Sequence, residues 1–228
     1  MSDQAVTLIV GASRGIGAEF VKQIAQSHPS NKVIATVRSP RSFDQANVET
    51  LELDINCPDS VEAAATKVER LDTVIVSAAI GSDEFLLTTS EERFREYMDT
   101  NILAPFRVVK AFLSALRAGK SKKIILLSSL SGSLAKQKGA RWGQRGPYAV
   151  TKAAVNMLAV QFDNELRDDG FTVIPIHPGW VATDMGNAFA EGASPVDESV
   201  TGMIKVIESL KHDDSASFFQ WDGQEVPW

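Results

Sequence analysis

A chain of 228 residues holds one large domain or two small ones, and 44% hydrophobic against 23% charged residues excludes a disordered, collagen-like or coiled-coil chain. A net charge of −6 without a basic cluster argues against a nucleic-acid partner. The single cysteine, Cys57, excludes an intramolecular disulfide or a cysteine-based zinc site and fits a reducing compartment.

The opening residues have no basic n-region, and Gly11 breaks their apolar run early, which is not the pattern of a secretory leader. No stretch approaches the ~18–20 apolar residues of a membrane helix. The expectation is a cytoplasmic chain with no membrane partner. Along it, short Val/Ile/Leu-rich runs at Val6–Val10, Val33–Val37, Leu51–Leu53, Thr73–Val76, Lys123–Leu127, Thr172–Ile176 and Ser217–Gln220 read as strands. Several are apolar at nearly every position, as in a parallel sheet covered on both faces. Between them, Ile16–Gln26, Pro58–Arg70, Ser90–Ala118, Tyr148–Arg167 and Pro195–Leu210 have helical length and pattern. Pro105 falls inside Ser90–Ala118 and predicts a kink there. Alternating strands and helices predict one α/β domain over 1–228, a doubly wound, Rossmann-type parallel sheet of about seven strands with helices on both faces. Leu130–Gly146 and Gly179–Ser194 are long enough to be functional loops.

Gly11-Ala12-Ser13-Arg14-Gly15-Ile16-Gly17 follows the first strand and opens the first helix. Glycines there let backbone amides approach a phosphate, and the helix N-terminus adds partial positive charge. NAD-selective sites place an acid about 20 residues on. Here the second strand ends at Arg38 with no acid, so Arg38 and Arg14 are expected to grip a 2′-phosphate, favouring NADPH/NADP+ over NADH.

Tyr148 and Lys152 share one helix face at i, i+4 spacing. An ammonium nearby is expected to lower the tyrosine pKa, so that the phenol exchanges a proton with a carbonyl oxygen. Upstream, a buried-type strand runs into Ser128-Ser129-Leu130-Ser131-Gly132, where a hydroxyl is placed to hold that oxygen. His28, His177 and His212 are expected to be structural, no metal site is expected, and Cys57 reads as a small buried or half-buried filler.

Glycine turn, serine, tyrosine and lysine in this order resemble the short-chain dehydrogenase/reductase family over nearly the whole chain. The resemblance implies that Gly11, Ser13, Arg14, Gly15, Ile16, Gly17 and Arg38 bind the cofactor, with Asp54, Ile55, Ala78 and Ala79 at its adenosine end. Pro178, Gly179, Val181 and Thr183 would hold the nicotinamide together with Tyr148 and Lys152. It also implies a catalytic set of Ser129, Tyr148, Lys152 and Asn101, in which Lys152 binds the ribose and Asn101 holds a water linking Lys152 to solvent. The segment His177–Gly186 and the ending Trp221–Trp228 look like the sniffer and C-factor group of carbonyl reductases and like fungal polyketide ketoreductases. The function implied is NADPH-dependent reduction of an aldehyde, ketone or quinone. Alternatives are a low-turnover NADP(H) sensor or signalling protein, and an NADP+-dependent alcohol dehydrogenase. Two departures stand out: Val76-Ser77-Ala78-Ala79 replaces the family's Asn-Asn-Ala-Gly, and the segment between Ser129 and Tyr148 is longer than usual. That length leaves Ser131 and Ser133 as other candidates for the serine role. Trp142, Trp180 and Met185 are placed to face the substrate. A homodimer is expected through Phe94–Leu116 and Tyr148–Arg167, with Val109, Phe112, Leu158 and Phe162 as its apolar patch.

Overall fold

A computed structural model describes residues 4–140, 145–187 and 192–228. Strands β1 (Val6–Val10), β2 (Lys32–Val37), β3 (Val48–Glu52), β4 (Thr73–Val76), β5 (Lys123–Leu127), β6 (Thr172–His177) and β7 (Phe219–Gln220) form one sheet in the order β3-β2-β1-β4-β5-β6-β7. Every pairing is parallel. The order reverses between β1 and β4, which opens a crevice at the carboxyl ends of the strands.

Alternation along the strands divides the core in two. Leu8, Val10, Val74 and Ile124 point to helices α2 (Pro58–Ala65), α4 (Ala104–Arg117) and α6 (Gly146–Leu166), against Val61, Phe112 and Val155. Ile9, Ile75, Ile125 and Ile174 point the other way, to α1 (Gly15–Ser27) and α8 (Val196–Ser209), against Phe20 and Met203. Being apolar on both faces is what made these strands readable as continuous hydrophobic runs. Among the described residues no helix is long and apolar enough to cross a membrane.

Four expectations change. The second predicted helix stops at Ala65, where Thr66 turns its hydroxyl back to the Ala63 carbonyl and Lys67 and Val68 tighten the chain onto Ala64 and Ala65. The third, Ser90–Ala118, is divided into α3 (Glu91–Met98), a π-helical turn (Asp99–Leu103) and α4. Pro105 has no N–H for the Asn101 carbonyl, and the ladder widens just before it, with Ala104 N–H reaching Asp99. The first long loop contains a 3₁₀ turn (Leu130–Gly132) and a short helix α5 (Leu134–Gln137), and the second contains α7 (Asp184–Asn187). Cys57 is exposed just before α2 rather than buried.

The apolar patch expected at the outer face also moves. Val109 and Phe112 are 1% and 0% exposed, so they belong to the core. Leu158 and Phe162 are half-buried and pack against it. The exposed apolar side chains here are Leu103 in the π turn, Phe106 on α4, and Val150 and Met157 on α6.

Candidate active site

A cavity of about 1130 Å³ runs along the carboxyl ends of the strands. At one end the turn after β1 wraps over the start of α1. A Cβ on Gly17 would lie 2.1 Å from the Gly11 carbonyl oxygen, and one on Gly11 would lie 2.8 Å from Ala78. Only glycines let turn, helix and the β4 loop meet this closely. Arg14 occupies the cap position of α1 without a side-chain cap, and the first turn carries no acid. The first amides of α1 are therefore left for a ligand, and the helix dipole favours a negative one. Thr36, unnoticed in the sequence, accepts a hydrogen bond from Gly11 N–H (3.1 Å) and ties the turn to β2.

Of the residues expected around a cofactor, Gly11, Ser13, Arg14, Gly15, Ile16, Arg38, Asp54, Ile55, Ala78, Ala79, Tyr148, Lys152, Pro178, Gly179, Val181 and Thr183 line this cavity. Gly17 does not; it works from beneath, as packing. The Thr183 methyl stands over Gly15, 3.4 Å from where a Cβ would be. Arg14 pairs with Asp184 across the mouth at 2.6 Å, both side chains being exposed. Arg41, also unnoticed, donates to the Ser13 carbonyl. Uncapped amides, the glycine cradle and two arginines fit the phosphates of a dinucleotide.

At the other end, Ser129 and Tyr148 both line the cavity, and the Ser129 hydroxyl is near enough to favour the Tyr148 phenolate. The longer segment between them leaves both on the cavity wall. Ser131 also lines the cavity, but Ser133 is fully buried, caps α5 by accepting from Lys136 N–H (3.1 Å) and donates to the Pro227 carbonyl. Tyr148 and Lys152 are 7% and 3% exposed. Burial pushes the Tyr148 phenol up to about 12, opposed in part by the nearby Ser129 hydroxyl. Burial also brings the Lys152 ammonium down to about 8; it donates to the Leu127 carbonyl (2.8 Å) and lies 5.5 Å from the Tyr148 ring centre. The tyrosine pKa therefore stands above its ordinary value and not below it as expected from the neighbouring ammonium, because desolvation dominates, and the ammonium is turned to a carbonyl.

Asn101 sits in the π turn, 1% exposed. It accepts from Ile80 N–H and donates to the Ile80 carbonyl, both at 2.9 Å, and donates to Thr151 Oγ1 at 3.0 Å. Thr151 in turn donates to the Tyr148 carbonyl at 2.8 Å. Asn101 is outside the main cavity and borders a small recess it shares with Lys152. Ser128 and Asn156 reinforce the site from behind: Ser128 donates to Asn156 Oδ1 (2.5 Å), and Asn156 donates to the Gly132 carbonyl (3.1 Å).

On the substrate side, Trp180 and Met185 line the cavity, while Trp142 lies outside the described residues. His177 also lines it; it is buried, its Nδ1 has no partner, and burial lowers its pKa to about 4. Trp221 packs against Gly179, 2.9 Å from where a Cβ would be. Asp83 and Arg145 complete the wall. Neither stands in a recognisable motif, and only the fold brings their separate segments together.

The chain belongs to the short chain dehydrogenase family, whose profile matches residues 5–194. It is similar to an uncharacterized oxidoreductase of Schizosaccharomyces pombe, 33% identical over 98% of this chain and 97% of the other. It is also similar to C-signal of Myxococcus xanthus, 40% identical over 56% of this chain and 74% of that one. A crystal structure of NADPH-bound carbonyl reductase from chicken fatty liver superposes with a TM-score of 0.89 at 33% identity, covering 99% of both chains. The protein is an oxidoreductase of this family.

Proposed function

We propose that the protein uses NADPH to reduce the carbonyl of an aldehyde, ketone or quinone to an alcohol. The observation that carries this reading is one cavity with an uncapped glycine turn at one end and, at the other, the buried Tyr148 and Lys152 with Ser129 on the same wall. The chemistry that bound NADPH supplies is a hydride for the carbonyl carbon. Gly11, Ser13, Gly15 and Ile16 bind the pyrophosphate through backbone amides, and Arg14 and Arg38 hold the 2′-phosphate. Asp54, Ile55, Ala78 and Ala79 border the adenosine; Pro178, Gly179, Val181 and Thr183 orient the nicotinamide.

Ser129 donates a hydrogen bond to the substrate oxygen and Tyr148 gives it a proton. A phenol whose pKa stands near 12 is protonated at neutral pH, the form an acid needs for reduction. Lys152 binds the ribose and carries the positive charge that stabilises the phenolate left behind. Asn101 is a positioning residue. It ties the β4 loop to Thr151 and so to the backbone of Tyr148. The buried Tyr148 and Lys152, with Ser129 on the same cavity wall, support turnover rather than a sensor that only binds.

NADPH absorbance followed with a panel of aromatic aldehydes, ketones and quinones tests the proposal. Consumption is expected with at least one class and with NADPH above NADH. NADPH binding without consumption of any carbonyl would support the sensor instead, and turnover only with NADP+ and an alcohol would reverse the direction.

For assembly we propose a homodimer through α4 and α6. Leu103, Phe106, Val150 and Met157 are exposed there, and Phe106 stacks on Phe162 at 6.3 Å to join the two helices. Light scattering should give twice the chain mass; a monomer at micromolar concentration would refute it.

A further inference from the structure

Asp83 and Arg145 reach the substrate end of the cavity from two separate segments, the loop after β4 and the residue before α6. Their contact is a fork: Arg145 Nε donates to one Asp83 oxygen at 3.2 Å and Nη2 to the other at 3.0 Å. The Phe85 ring covers the guanidinium, 4.6 Å from its carbon. Both side chains are about a third exposed, but the backbones behind them are fixed. Gly146 has φ +57, and a Cβ there would lie 2.1 Å from the Glu84 carbonyl oxygen. Glu84 accepts from Arg93 (3.0 and 3.1 Å) and from the Tyr97 phenol (3.0 Å), and Ser82 N–H donates to Tyr97 (3.0 Å). Asp83 thus sits between two anchored neighbours, and Arg145 adjoins a backbone that cannot back away.

We infer that the Asp83–Arg145 pair sets substrate charge: it makes this end of the cavity select uncharged carbonyl compounds and turn away those bearing a carboxylate or other anion. An arginine beside a buried tyrosine would otherwise be a ready anion site, because its planar fork matches a carboxylate. Here Asp83 already occupies that fork, Phe85 occupies a face, and the Asp83 charge repels a second carboxylate, a built-in repulsive element of specificity. The Arg145 fork keeps the Asp83 carboxyl below its usual range, so it is ionised at any working pH. The remaining charges of the wall point elsewhere. Arg14, Arg38, Asp54 and Asp184 are at the glycine-turn end, and Lys152 is turned to the Leu127 carbonyl.

The inference rests on the reductase reading, and the test separates the two. With NADP+ bound, dissociation constants for 4-nitrobenzyl alcohol and 4-carboxybenzyl alcohol are measured from tryptophan emission, Trp180 and Trp221 lining the cavity. The corresponding aldehydes are then turned over with NADPH. The wild type should favour the neutral member by at least about fivefold, the scale of one partly exposed ion pair. Asp83→Asn frees the fork and should close or reverse that ratio. Arg145→Gln leaves the Asp83 charge alone and should widen it, so one variant that fails to fold does not end the test. A ratio that is flat across the folded proteins overturns the inference. Ratios that shift as stated, with neither aldehyde reduced, uphold it and overturn the reductase reading.

Discussion

At the glycine-turn end of the cavity the ligand surface is backbone and exposed charge, while at the tyrosine end it is buried polar side chain. Arg14 and Asp184 are 78% and 77% exposed. Tyr148, Lys152, Asn101, Ser128 and Asn156 are all buried, and the last four each have a side-chain hydrogen-bond partner. An exposed charge is screened by water and contributes little by itself. A buried polar group is expensive to leave unpaired, and its partners hold it in one geometry. The first end is suited to capturing a large, charged ligand whose many contacts share the work. The second is suited to placing one proton.

The sharpest way to break that contrast is to remove the proton. Tyr148→Phe keeps the ring and its packing, so NADPH affinity by fluorescence titration should stay near wild type. Turnover should fall by about 10²–10⁴-fold, the usual effect of losing a general acid. Ser129→Ala should also lower kcat strongly, whereas Ser133→Ala should leave kcat close to wild type because its hydroxyl serves α5 and Pro227. Wild-type turnover in Tyr148→Phe would refute the acid role.

The next effect comes from Lys152, whose pKa burial lowers to about 8. The ammonium is the form that stabilises a phenolate, and it is present below that value and lost above it. The kcat/KM for reduction should therefore hold below pH 8 and decline above it, by about tenfold per pH unit once one required proton is gone. A profile flat to pH 10 would show that the charge of Lys152 is not used.

The same division explains what the sequence made legible. The glycine turn, the Tyr148–Lys152 pair and the strands were readable because each is local, a spacing along one element. Asp83 with Arg145, and Asn101 with Ile80 and Thr151, are meetings of distant segments with no spacing to betray them. Pro105 announced a bend, but only the missing N–H opposite Asn101 shows why the ladder widens beside that residue. For the tyrosine pKa, spacing reveals a neighbouring charge but not the depth of burial, which here dominates. The apolar patch was misplaced for a related reason: in a helix covered on most sides, pattern alone does not separate Phe112 in the core from Phe106 outside.

At the glycine-turn end the expected effects are smaller. Arg38→Asp replaces a proposed 2′-phosphate partner with a repelling charge. It should raise the KM for NADPH by at least about tenfold and narrow or reverse the preference over NADH. The measurement is kcat/KM with both cofactors in both proteins. Equal efficiencies in the wild type would show that Arg38 plays no part in the choice.

Smallest of all should be the effect of Asp184→Asn. Asp184 reaches across the mouth of the cavity to Arg14 at 2.6 Å, a distance that looks strong on paper. Both partners are mostly in water, however, and exposed pairs of this kind contribute little to stability because solvent and salt screen them. Removing the carboxylate also releases Arg14, which the proposed function assigns to the 2′-phosphate, so loss of the pair and gain for the cofactor act in opposite directions. The melting temperature should barely move. The NADPH dissociation constant should change by less than about threefold, toward tighter binding and more visibly at low salt. If Asp184→Asn instead weakened NADPH tenfold or lowered the melting temperature by many degrees, the exposed end would be as tightly coupled as the buried one. The contrast between an end that captures by many weak contacts and an end that places by few strong ones would then be lost.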